Sequence, residues 1–228
     1  MIEAFLRSPL LGLCLCIGTY AIGMWIQKKT RWFLANPLLI ASAACIALLL
    51  LLDIPYENFA AGAQMIHVML GPVTALLALG IYNQRATLKE YFIPVLVGCS
   101  VGSAVSIFSV LGLCRLLGVD QAVAAAIVPK SCTTAIAVGI AENLGGVTAV
   151  AAACVLLAGL TGALFAPVFC RWLGVRDPVA QGVAIGACSH ALGTTKAREI
   201  GEVQGAMSSI AIGVCGLISV GISLFLTL

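Results

Sequence analysis

Eight apolar runs, at about 9–26, 37–52, 66–82, 92–114, 121–140, 146–170, 181–197 and 205–227, fill the chain between short polar connections. Most come close to the roughly 20 residues that a helix needs to cross a bilayer. Backbone polar groups at membrane depth must be satisfied internally, so helices are expected throughout. Composition agrees, with 61% of the 228 residues hydrophobic and 9% charged, where a soluble domain carries roughly 25% charged. A soluble enzyme is excluded and no catalytic role is expected. The net charge of +3 is weak and scattered, without the basic face that phosphate backbones need, so nucleic acid is not an expected partner.

The expected fold class is all-α: one integral membrane domain over 1–228, polytopic, with about six to eight transmembrane segments. The first run is preceded by Glu3 and Arg7 rather than by a basic cluster, and it ends in Gln27-Lys28-Lys29-Thr30-Arg31 with no small-residue cleavage site. It reads as a retained span rather than a leader. The connection 53–65 alone is long enough for a short interfacial helix.

Charge placement turns this count into a topology. Lys28, Lys29 and Arg31 mark one loop as cytoplasmic, and Arg85 and Lys89 mark another. If 121–140 were a simple span, the loop with Arg171 and Arg176 would face outward, against the rule. A re-entrant or broken fifth segment repairs the conflict. The seventh, interrupted by Gly182, Gly186 and Gly193, invites the same treatment. Two such segments entering from opposite faces would give the inverted-repeat plan of a transporter. Eight ordinary spans with a weak charge bias remain the alternative.

Pro129-Lys130-Ser131-Cys132-Thr133-Thr134 lies in the middle of the fifth segment. Proline removes a backbone donor and clashes with the preceding turn, so a helix break is expected at Pro129. Lys130 then adds a charge, and Ser131, Thr133 and Thr134 add hydroxyls, which together make a small anion site. A mid-span lysine costs a few kcal/mol even on lenient scales and usually faces a cavity or partner. The plainer reading has Lys130 snorkelling and the hydroxyls bonded back to the preceding turn. Ser189-His190-Ala191-Leu192-Gly193-Thr194-Thr195-Lys196 repeats the composition, with a break expected at Gly193. Ser189, His190, Thr194 and Lys196 are its candidate ligands, although a lone histidine on an apolar face is more often a packing residue. A third break is expected at Pro72, while Asn36-Pro37 reads as a helix start.

No Asp or Glu sits deep inside a run, so a carboxylate relay is not supported. The ten cysteines lie in or at the edges of apolar runs without a CxxC pair, as small core residues. Neither metal nor cofactor is called for.

Asn36-Pro37-Leu38-Leu39-Ile40, Leu70-Gly71-Pro72, Val128-Pro129-Lys130-Ser131 with Thr133-Thr134, and Ser189-His190-Ala191-Leu192-Gly193-Thr194 together resemble the LrgB/CidB family over essentially the whole chain. The resemblance implies a bacterial inner-membrane protein, with two functional readings. One is a holin/antiholin-like role in murein hydrolase export and autolysis, beside a small LrgA/CidA-type membrane subunit. The other follows from similarity to the C-terminal half of the plastid glycolate/glycerate translocator: secondary transport of a small carboxylate of the glycolate, glycerate or pyruvate type. The lysine-bearing breaks favour the second. The expected partners are thus a small organic anion, the lipid bilayer and that subunit, with a homodimer also to be considered.

Overall fold

The computed structural model describes residues 8–30, 36–83 and 85–226; Glu3, Arg7 and Arg31 lie outside them. The chain divides into two compact units, residues 1–72 and 73–228.

In the first unit, α1 (Pro9–Thr30) packs against α2 (Pro37–Leu51) and α3 (Tyr56–His67). Glycines permit the close approach: Gly23 lies against Pro37, whose Cα would sit 2.9 Å from an added Cβ. Asn36 caps α2, its side chain accepting from the Leu38 amide at 2.9 Å. Pro37 occupies the first turn, where a missing N–H costs nothing. Helix α3 fills the connection expected to hold a short helix.

The second unit contains the rest of α4 (Leu70–Asn83), then α5 (Arg85–Glu90), α6 (Phe92–Leu116), α7 (Gln121–Ile127), α8 (Thr134–Asn143), α9 (Thr148–Trp172), α10 (Pro178–Ile200) and α11 (Glu202–Ser223). Helices α1, α6, α9 and α11 are long and apolar enough to cross a membrane. The chain is an all-α polytopic membrane protein. The eight apolar runs resolve into these four, the shorter α2 and α4, and two hairpins. Pro72 is no break: the interruption is the turn at Val68–Met69, and Pro72 is the third residue of α4.

The first hairpin is α7–α8. Asp120 caps α7 through the Ala122 amide at 2.9 Å, the helix ends at Ile127 before Pro129, and Thr133 caps the returning α8 through the Ile136 amide. The break expected at Pro129 is present. Successive clusters show the reversal: Ala126 and Ala141 meet Ala151 of α9, whereas Cys132 and Ala137 meet Val155, one turn deeper. The chain descends from 126 to 132 and climbs back from 137 to 141.

The second hairpin is α10, in which helical geometry fails at His190, with φ 38° and ψ −134°. Unbroken helix would put Gly182 and Arg198 roughly 24 Å apart along the axis. Both instead touch the first turn of α11: an added Cβ on Gly182 would lie 2.6 Å from the Gln204 carbonyl, and one on Gly205 would lie 3.1 Å from Arg198 Cα. Gly186 and Thr194, four residues either side of His190, likewise both meet Ser208. The chain therefore turns back at His190. The break expected at Gly193 is displaced by three residues, because Gly193 serves close packing against Ser189 and Ile185.

Helix α6 buries Val95 and Cys99 against Val183 and α11, and Ile107 to Cys114 against Ala124 and Val128 of α7. The hairpins accordingly enter from opposite ends, one after α6 and one after the antiparallel α9. That is a span-and-hairpin unit repeated with inverted sense. It leaves Arg85, Lys89, Arg171, Arg176, Lys196 and Arg198 at one end and Arg115 at the other. The charge rule reads the first end as cytoplasmic, which is the orientation that a re-entrant fifth segment requires.

Candidate functional site

A membrane helix that stops halfway must place its free backbone groups and polar side chains against protein or a wet cavity. The first hairpin does so at its tip. Lys130 Nζ donates to Ser106 Oγ at 3.3 Å and to Ser131 Oγ at 3.4 Å, and the two hydroxyls are 2.7 Å apart. An ammonium has three donors, and Lys130 has no carboxylate partner among the described residues. Its charge is held by hydroxyls and is otherwise uncompensated.

Lys130, Ser131 and Ser106 line one end of a cavity of about 1240 Å³ between α6, α9 and α10. Cys154 and Cys188 stand near the same end, while Tyr91 and Asp177 line the other. The hydrogen bond with Glu90 raises the Tyr91 phenol above its ordinary pKa. Asp177 caps α10, accepting from the Ala180 amide at 2.8 Å.

Of the eight candidate ligands, only Lys130 and Ser131 line this cavity. Thr133 is spent on capping α8, and Thr134 is exposed on its first turn. Ser189 is fully buried and donates to the Ile185 carbonyl. Thr194 is also buried, within 2.7 Å of Ser208 Oγ and bonded to the His190 carbonyl at 3.0 Å. His190 is 4% exposed, packs against the bare Cα of Gly159, and has no partner for Nε2 among the described residues. Lys196 lies outside the cavity, paired with Glu199 at 2.7 Å with its side chain 40% exposed. The two lysines expected to share a site are therefore apart. Ser106 belongs to the cluster and is not singled out by the sequence, being one of four serines, with Ser100, Ser103 and Ser109, in a long apolar helix.

The sequence profile described as the LrgB-like family matches residues 16–228. The chain belongs to the LrgB family. This LrgB-family chain is 33% identical over 204 residues to the uncharacterized protein YxaC of Bacillus subtilis (strain 168), covering 90% of this chain and 89% of that protein. It is 33% identical over 214 residues to the antiholin-like protein LrgB of Bacillus cereus (strain B4264), covering 93% of each. The protein of the same name from Bacillus anthracis (strain CDC 684 / NRRL 3495) matches to the same extent. No solved structure matches the chain.

Proposed function

We propose that this chain is an antiholin-like protein of the bacterial inner membrane that restrains murein hydrolase export and autolysis, working beside a small LrgA/CidA-type membrane subunit. The observation that carries this reading is end-to-end kinship with curated relatives bearing that name. Two hairpins that stop inside the bundle also suit a closed, regulated element better than a constitutive pore. Deleting the gene should raise extracellular murein hydrolase activity on zymograms and speed detergent-induced lysis, with reversal on re-expression. Unchanged zymograms and lysis rates would remove this reading.

One observation favours a second reading, the carriage of a small carboxylate: an uncompensated Lys130 between two hydroxyls at the end of a cavity. Charge-assisted hydrogen bonds to a carboxylate are the strong ones, and an inverted repeat with broken helices is the common plan of secondary carriers. Proteoliposomes should then take up labelled glycolate or pyruvate saturably, with loss of uptake in Lys130→Ala. Non-saturable leakage of unrelated solutes, equal in wild type and Lys130→Ala, would count against it.

A further inference from the structure

The cavity is far larger than a three-carbon acid requires. Six heavy atoms at about 30 Å³ each fill roughly 180 Å³, against a cavity of about 1240 Å³. Its walls also offer little to a hydroxy acid. Between the Lys130 end and the Tyr91–Asp177 end, the lining is dominated by Val101, Val105, Leu157, Phe165, Phe169 and Val183. The one hydroxyl on that stretch, Thr161, already donates to the Leu157 carbonyl at 2.8 Å and the Ala158 carbonyl at 3.1 Å. From Pro94 to Ser106 the wall runs about 18 Å along α6, so this is an elongated apolar trough with a cation at its inner end. A second carboxylate at the far end would meet Asp177.

We propose that this cavity binds monocarboxylates that carry an apolar tail, with the carboxylate on Lys130, Ser106 and Ser131 and the tail along α6, α9 and α10. The headgroup rests on the small-carboxylate reading, whereas the tail goes beyond it. Burial of apolar surface then sets affinity, and the single charge selects for one acid group.

The test uses the full chain in lipid nanodiscs, with empty discs subtracted, and labelled propionate, hexanoate, octanoate and uncharged octanol. Affinity should rise about three- to fourfold for each added methylene while the tail stays in the trough. Lys130→Gln should lower octanoate binding to the level of octanol. Val101→Trp, which fills the trough about 7.5 Å along α6 from Ser106, should weaken octanoate binding more than propionate binding and so flatten the series. The wild-type series decides the matter even if that variant fails to fold. Equal affinity across the series, with propionate binding still dependent on Lys130, overturns the tail site and leaves the small-carboxylate reading standing. If no acid of any length binds, both fall. Octanol binding as tightly as octanoate to the wild type shows only a greasy surface and overturns the proposal. So does displacement of octanoate by a larger phosphatidylglycerol fraction, which assigns the trough to bilayer lipid.

Discussion

The two hairpins share a composition, a helix breaker followed or preceded by hydroxyls and a lysine, and put it to opposite uses. At the first tip Pro129 opens the helix, and Lys130 and Ser131 face a cavity. At the second tip the hydroxyls turn inward: Ser189 and Thr194 are buried and bonded within the protein, and His190 sits on Gly159. A polar residue at membrane depth needs a partner, and that partner can be a ligand or a neighbouring helix. Composition does not choose between them; the surface the tip lands on does. Helix α9 offers Gly159 and Gly162 to the second tip, and an added Cβ on Gly162 would lie 2.5 Å from Ser189 Cβ. The first tip lands beside Ser106 with open space in front of it.

The contrast can be broken most forcefully at the second hairpin. Gly186 lies so close to α11 that an added Cβ would sit 2.8 Å from Ser208 Cα, and backbone cannot step aside. Gly186→Leu should cost several kcal/mol, at or beyond the usual 1–3 kcal/mol of overpacking. Thermal unfolding in detergent, followed by size-exclusion fluorescence, should show a lower midpoint or loss of the monodisperse peak. A wild-type profile would mean that the second hairpin does not pack tightly on α11.

A smaller effect is expected from Thr194→Val, which leaves the buried Ser208 hydroxyl without its partner. That should cost about 1–3 kcal/mol, while Ser131→Ala at the cavity should cost less and impair carboxylate binding instead. Parallel melting and binding curves separate the two. Equal loss of stability in both variants would erase the distinction between a packing tip and a ligand tip.

His190 allows a sign test worth about 1 kcal/mol. Inside an unbroken helix glycine is worse than alanine by roughly 0.5–1 kcal/mol. At a residue with φ 38° the order should invert, since glycine tolerates positive φ and alanine does not. His190→Gly should therefore melt above His190→Ala. The opposite order would restore a continuous α10 and remove the second hairpin.

The smallest effect belongs to Lys196. Its exposed pair with Glu199 contributes at most about 1 kcal/mol, as surface ion pairs do. Lys196→Gln should leave both melting and carboxylate uptake near wild type. Abolished uptake would return Lys196 to the site.

Much of this was legible beforehand because membrane chains leave few options. Charged residues are so scarce that their loops could be assigned, and the conflict at Arg171 and Arg176 already called for a re-entrant fifth segment. Pro129 and Lys130 announced themselves because each is costly in an apolar helix. Gly193 misled because glycine permits two things, an unusual backbone angle or the close approach of a neighbour, and only the second is used there. Ser106 was silent, since a hydroxyl inside a helix can always bond to its own preceding turn.

The sequence by itself determined a membrane protein of helices, the family, the end where most cations gather and one broken segment bearing a cation. These follow from terms that are local or one-dimensional: hydropathy, charge placement and the missing amide of proline. Tertiary structure alone decided which polar residues meet. Ser106 joins Lys130 across 24 positions, Lys196 leaves for Glu199, and the second hairpin turns at His190. Those outcomes depend on which faces of α6, α9 and α11 approach closely, and helix approach is set by packing between residues distant in the chain.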